Sequence, residues 1–219
     1  MKPTLYAHPF ASYCQKVLIA FYENDTDFLY RKFGPEDPGA MGELEALWPL
    51  KKFPVMLDAG HTYVESSIII ERLALNHPGA VRLIPADAND ALEVRMMDRF
   101  FDNYVMTPMQ KIVADSMRDS RGRDALGVQE ARAMLETAYA WLNGALPGRP
   151  WACGSDFSMA DCAAAPALFF SDWVHPIAEK FPLVRDYRRR LLARASVARA
   201  VDEARPYRNL FPPGAPDRD

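Results

Sequence analysis

Three short stretches carry side chains whose types and spacing could do chemistry. The first is His8-Pro9-Phe10-Ala11-Ser12-Tyr13-Cys14-Gln15-Lys16-Val17. A strand-like segment, Thr4–Ala7, runs into it, and Cys14, Val17, Leu18 and Phe21 then recur at helical spacing. Polar groups therefore stand where a helix begins, and unpaired N–H groups with positive partial charge stabilise a thiolate or another anion there. Ser12 is either the N-cap of that helix or a hydroxyl presented to the anion. The second stretch is Leu50-Lys51-Lys52-Phe53-Pro54-Val55. A proline that opens a strand after bulky residues is a candidate cis bond. A cis Pro54 would turn the Phe53 main chain outward to pair with an extended peptide. A trans proline at a strand start is the plainer alternative. The third is Val64-Glu65-Ser66-Ser67-Ile68-Ile69-Ile70-Glu71. Where strand gives way to helix, the Ser66 hydroxyl and free N–H groups can hold a carboxylate, while Glu65 supplies charge for an ammonium. Together they suit the head group of a free amino acid, although capping alone would also account for Ser66.

The elements that must position these residues follow from periodicity. A helix runs from Ser12 to about Asn24, a strand covers Asp27–Lys32, and Gly34 to Gly39 is a loop. Glu43–Trp48 forms one or two helical turns ended by Pro49. Pro54–Asp58 and Thr62–Glu65 make a hairpin through Asp58-Ala59-Gly60-His61, and Ser66 caps a helix over Ser67–Asn76. The order βαβ–ββα predicts a mixed sheet with helices packed on it. Beyond a linker no strand is evident, and Leu92–Ile112, Val128–Leu142, Met159–Phe170 and Leu183–Ala204 read as helices. The expected division is residues 1–77 for the α/β domain, 78–87 for the linker, 88–205 for an all-α domain, and an extended tail over 206–219.

Bulk properties exclude several classes. With 219 residues, 49% hydrophobic and 25% charged, the chain can bury a core without disulfides or a structural metal. A net charge of −3 argues against nucleic acid as a partner. No apolar run approaches the ~20 residues of a membrane helix, and the N-terminus lacks a signal-peptide core. Three widely spaced cysteines, Cys14, Cys153 and Cys162, suggest neither disulfides nor a metal site, so a reducing cytoplasm is expected. Arg185, Arg188, Arg189, Arg190 and Arg194 read as a solvated helix face.

In this order and spacing, the three stretches resemble the glutathione S-transferase superfamily over nearly the whole chain. Gly154-Ser155-Asp156-Phe157-Ser158-Met159-Ala160-Asp161 adds its Gly-xxx-Ser-x-Ala-Asp signature, read here as a capping box of Ser158 and Asp161 before a buried helix. The resemblance implies a thioredoxin-like N-terminal domain and a helical C-terminal domain. It implies glutathione as co-substrate, held by Lys52, Phe53 and Pro54 at its cysteinyl part and by Glu65 and Ser66 at its γ-glutamyl end. A small hydrophobic electrophile would sit between the domains against Phe10, Phe101, Tyr104, Met106 and Met109, some of which belong instead to helix core. A detoxifying enzyme and a homodimer are implied, with no metal.

One position departs from the family pattern. The residue used by the serine-type and cysteine-type classes to contact the glutathione sulfur falls on Ala11, and the adjacent hydroxyl is Ser12. Against the glutaredoxin Cys-Pro-Tyr-Cys turn, Ala11 and Ser12 replace the first two residues, while Tyr13 and Cys14 match. Cys14 lies on the apolar helix face and reads as packing. Ser12 is the expected activating group, with Tyr13, Tyr6 or a backbone amide as alternatives, although strand alternation turns Tyr6 away. The expected reaction is conjugation of the glutathione thiolate to an electrophile. An isomerase of the maleylacetoacetate type ranks lower, because its Ser-Ser-Cys-rich turn followed by Trp-Arg is missing. A non-catalytic regulatory or scaffold protein is favoured by Ala11 and opposed by the retained Pro54 and Glu65-Ser66.

Overall fold

Alternation along the first strand decides how the N-terminal half is layered. In the computed structural model, which describes residues 2–219, β1 (Thr4–Ala7) turns Leu5 and Ala7 to one face and Tyr6 to the other. It lies between β2 (Leu29–Lys32), which runs parallel, and β3 (Val55–Asp58), which runs antiparallel. β4 (His61–Val64) pairs with β3 and completes the order β2-β1-β3-β4. Leu5 stands opposite Met56 and Tyr6 opposite Val55. Leu5, Ala7 and Met56 therefore join the core with α1 (Ser12–Glu23) and α3 (Ser66–Asn76). Tyr6 and Val55 pack instead with Ala40 and Leu44 of α2 (Ala40–Leu47). The hairpin turns on Ala59 and Gly60 with φ of 50° and 81°, the sign at both central residues that matches strand twist. The α/β half is thus thioredoxin-like, and the remainder is helical.

Every residue of α1 from Cys14 to Tyr22 is buried, because the helix is covered on all sides. It packs on α3 and, across the divide, on α7 (Met159–Val174) and α9 (Ala195–Ala204). The connecting stretch is stitched down: the Asn24 amide exchanges hydrogen bonds with the Val81 main chain, and Met159 N–H donates to Leu83 C=O at 2.9 Å.

The helix expected over Leu92–Ile112 is interrupted. α4 (Ala88–Phe100) passes through a π-helical turn, Phe101–Met106, into α5 (Thr107–Ser116). Pro108 has no N–H to bond back to Tyr104, and the Thr107 N–H reaches Asp102 C=O instead, which widens the turn. After α6 (Ala125–Ala145) and α7, the helix expected over Leu183–Ala204 is two, α8 (Pro182–Ala193) and α9, broken at extended Arg194. The break lets Arg194 and Ser196 converge on the Glu23 carboxylate, with Ser196 Oγ donating at 2.6 Å. Arg188, expected on a solvated face, is mostly buried and pairs with Asp172 at 3.4 Å. The tail expected to extend over 206–219 instead opens in a 3-10 helix, Arg205–Leu210, and buries Phe211 against Phe10, Phe170 and Trp173. That aromatic contact, with Arg218 paired to Asp172, is what draws the tail in.

Candidate functional site

A groove of about 770 Å³ between the two halves brings the three stretches together. Ser12, Lys52, Phe53, Pro54, Glu65 and Ser66 all line it, as does Phe10. Each arrives from a different connection: β1 to α1, α2 to β3, and β4 to α3.

At the α1 entrance the N-cap is Ala11, extended at φ −82° and ψ 127°, and Ser12 is the first helical residue. The alternative of Ser12 as N-cap is therefore excluded, and no side chain caps the helix. Ala11, Ser12 and Tyr13 line the groove at this uncapped turn. α1 thus starts at Ser12 as expected, whereas α3 begins one residue earlier than expected. Glu65 is the N-cap, Ser66 is already helical, and again no side-chain cap bond forms. Glu65 has φ 69° and ψ 119°, a conformation uncommon for a residue with Cβ, and its side chain is exposed beside the buried Ser66. The Phe53–Pro54 peptide is cis.

The titratable groups at the first turn are held in their protonated forms, a thiol and a phenol. Burial pushes the Cys14 thiol up to about 12. Burial, reinforced by the Asp102 charge, pushes Tyr13 up to about 12, so its hydroxyl stays protonated where it lines the groove. Tyr6 lies on the opposite sheet face and donates to Glu43 at 2.9 Å.

The second wall corrects the expected apolar set. Phe10 and Met109 line the groove, joined by Val113, Met117, Phe170 and Phe211. Phe101 and Met106 are buried in the core, and Tyr104 is half-exposed against Phe100, with ring centroids 5.9 Å apart. The face of α4 and the π turn that meets the groove carries Arg99, Asp102 and Asn103 instead, so the aromatics next to them in sequence turn away. Phe211 was missed because it follows a proline- and charge-rich stretch with no periodic pattern.

Beneath that face is a cluster that sequence reasoning did not find. Lys16, fully buried on α1, lies 2.7 Å from Asp98 Oδ1 and 2.7 Å from Asp102 Oδ2, and donates to Ser67 Oγ at 2.9 Å. Ser67 Oγ donates to Asp98 Oδ2 at 2.7 Å, and Arg99 pairs with Asp102 at 2.8 Å. Burial raises the Asp102 carboxyl against the pull of Lys16. The one visible signal was a pair of aspartates four residues apart, Asp98 and Asp102, on either side of the adjacent Phe100 and Phe101. Among the described residues no three His, Cys, Asp or Glu side chains are placed to share a metal ion, and no helix is long and apolar enough to cross a membrane.

With the geometry in hand, similarity to known proteins is specific. Residues 5–80 match the family described as "Glutathione S-transferase, N-terminal domain", and residues 125–190 match "Glutathione S-transferase, C-terminal domain". The chain is similar to a glutathione S-transferase of Methylobacterium radiotolerans solved in complex with glutathione sulfonate. Identity is 28% and the TM-score 0.78, over 92% of this chain and 95% of that one. A Methylobacillus flagellatus glutathione S-transferase with glutathione bound shares the fold at 22% identity and TM-score 0.81, covering 91% and 98%. The glutathione S-transferase-like protein LUC7 of a Fusarium species is 30% identical over 130 residues. The match spans 59% of this chain and 59% of that relative's length.

Proposed function

The chain belongs to the glutathione S-transferase superfamily, and from that premise we propose that it binds glutathione in the interdomain groove and conjugates it to small hydrophobic electrophiles. The observation that carries this reading is the convergence of Ser12, Phe53 and Glu65–Ser66 on one groove from three connections. Phe53 offers main-chain groups to the cysteinyl part, with Lys52 alongside. Ser66 and the uncapped start of α3 receive the γ-glutamyl carboxylate, and Glu65 and Asp102 face its ammonium.

The thiol then lies at the start of α1. A cysteine thiol of pKa ≈ 8.5 needs about 2.7 kcal/mol to fall by about two units. A helix N-terminus contributes up to ~2 kcal/mol, and one hydrogen bond to a charged group ~1.5–3 kcal/mol. The open N–H groups and the Ser12 hydroxyl together cover this requirement, even with Ala11 where other members carry a side-chain donor. The thiol proton leaves to solvent, the thiolate sulfur forms a bond to the electrophilic carbon, and the leaving group departs with its electron pair. Phe10, Met109, Phe170 and Phe211 hold an apolar, flat substrate beside the sulfur.

An exposed apolar stripe, Leu92, Met96 and Tyr104 with Trp141 tilted against Phe100 at 4.5 Å between ring centroids, lies apart from the groove and fits a second copy of the chain. Sedimentation tests the dimer. Calorimetry with glutathione followed by conjugation of an aryl halide tests the function. Absence of binding would leave a scaffold role, and binding without turnover a carrier or an enzyme of narrower specificity.

A further inference from the structure

Lys16 occupies an unusual place in the groove's architecture. It lies four residues after Ser12 on the same face of α1, so one helix face carries the hydroxyl at the groove and an ammonium one turn below. That ammonium contacts Ser67, adjacent to the Ser66 of the α3 entrance, as well as Asp98 of α4 and Asp102 of the π turn. Within the cluster Lys16 is the fully buried cation, whereas Arg99 is half-exposed. Lys16 and Arg99 both contact Asp102 Oδ2, and Oδ1 is buried with no hydrogen-bond partner on a residue that lines the groove. An unsatisfied carboxylate oxygen at that position is costly unless a donor arrives, and an ammonium is the donor that suits it.

We propose, resting on the glutathione reading, that Lys16 is a positioning residue that holds Asp102 in place to receive the γ-glutamyl ammonium of glutathione. A single buried ammonium thereby ties the sulfur end of the groove to its γ-glutamyl end. It acts through Asp102 and Ser67 and touches no substrate. Replacing it with an apolar side chain removes the 2.7 Å contact on Oδ2, leaving Arg99 to draw the carboxylate toward solvent.

Calorimetric titration with two ligands separates this role from a structural one. The ligands are glutathione and the analogue in which a glutaryl group replaces γ-glutamyl, which lacks the ammonium and keeps both carboxylates. Lys16→Met is expected to weaken glutathione about tenfold and the analogue less than about threefold. Equal weakening of both ligands, or of neither, overturns the proposal. Should Lys16→Met not fold, the Lys16→Met/Asp98→Asn pair keeps the cluster neutral while still releasing Asp102, and the same discrimination is expected. Wild type that binds no glutathione sinks the functional reading and this inference with it. Wild type that binds, beside a Lys16→Met variant that discriminates as wild type does, sinks the inference alone.

Discussion

Two helix entrances in this molecule face the same physical problem and resolve it in opposite ways. α7 begins in a closed capping box. Asp161 accepts from Ser158 N–H at 2.9 Å, from Ala152 N–H at 2.8 Å and from Tyr187 O–H at 2.6 Å, and is fully buried. α1 begins at Ala11 with no side-chain cap, and its first turn lines a groove. Both ends carry free N–H groups and positive partial charge. At α7 the chain supplies its own acceptor, and the result is stability. At α1 no side chain supplies an acceptor, which leaves that turn free for the thiolate proposed above. On the proposed reading, the α1 terminus is made functional by what the sequence withholds from it, the Ser, Thr, Asp or Asn that a cap prefers.

The contrast breaks down if substitutions at the two entrances have similar effects. The largest expected effect is at α7. Asp161→Ala leaves four buried donors without this acceptor and should cost about 3–5 kcal/mol in denaturant unfolding, while any folded fraction binds glutathione normally. At α1, Ser12→Ala should leave the unfolding midpoint in place and slow conjugation by about 10–100-fold, the range of one hydrogen bond to a charged group. Turnover equal to wild type would remove Ser12 from the mechanism. Glu65→Gly sharpens the comparison at the third entrance. Relief of φ 69° should raise stability by about 1 kcal/mol while glutathione affinity falls, a separation that an ordinary cap would not give. Tyr13→Phe should have the smallest effect. With its phenol held near 12, chiefly by burial, Tyr13 is neutral across the working range. The pH profile of turnover should therefore keep its shape, with a rate change under about threefold.

Local signals carried the reading of the N-terminal half a long way. Alternation, the Ala59-Gly60 turn and the proline before β3 are each written in a few adjacent residues, and so is the Ser158–Asp161 box. Features that depend on distant partners were not legible. Arg194 breaks a helix without glycine or proline because its partner, Glu23, is on α1. Lys16 looked like an ordinary helical lysine, since Asp98 and Asp102 reach it only across the domain divide. Phe101 and Tyr104 have the right chemistry for an electrophile wall but the wrong side of their helix, which the π turn before Pro108 reorients. The one-residue offset at Ser66 has a related origin: propensity favours serine as a cap, and the chain places Glu65 there instead.

The central claim, that the uncapped α1 entrance stabilises a bound thiolate, is tested most directly by titrating the thiol of enzyme-bound glutathione through its ultraviolet thiolate absorbance. Wild type should show that thiol about two units below the ordinary ≈ 8.5, and Ser12→Ala should return it at least about one unit toward that value. Ser158→Ala, at the closed entrance of α7, should leave it unmoved. A bound thiol that titrates like free glutathione in the wild-type protein would contradict the account.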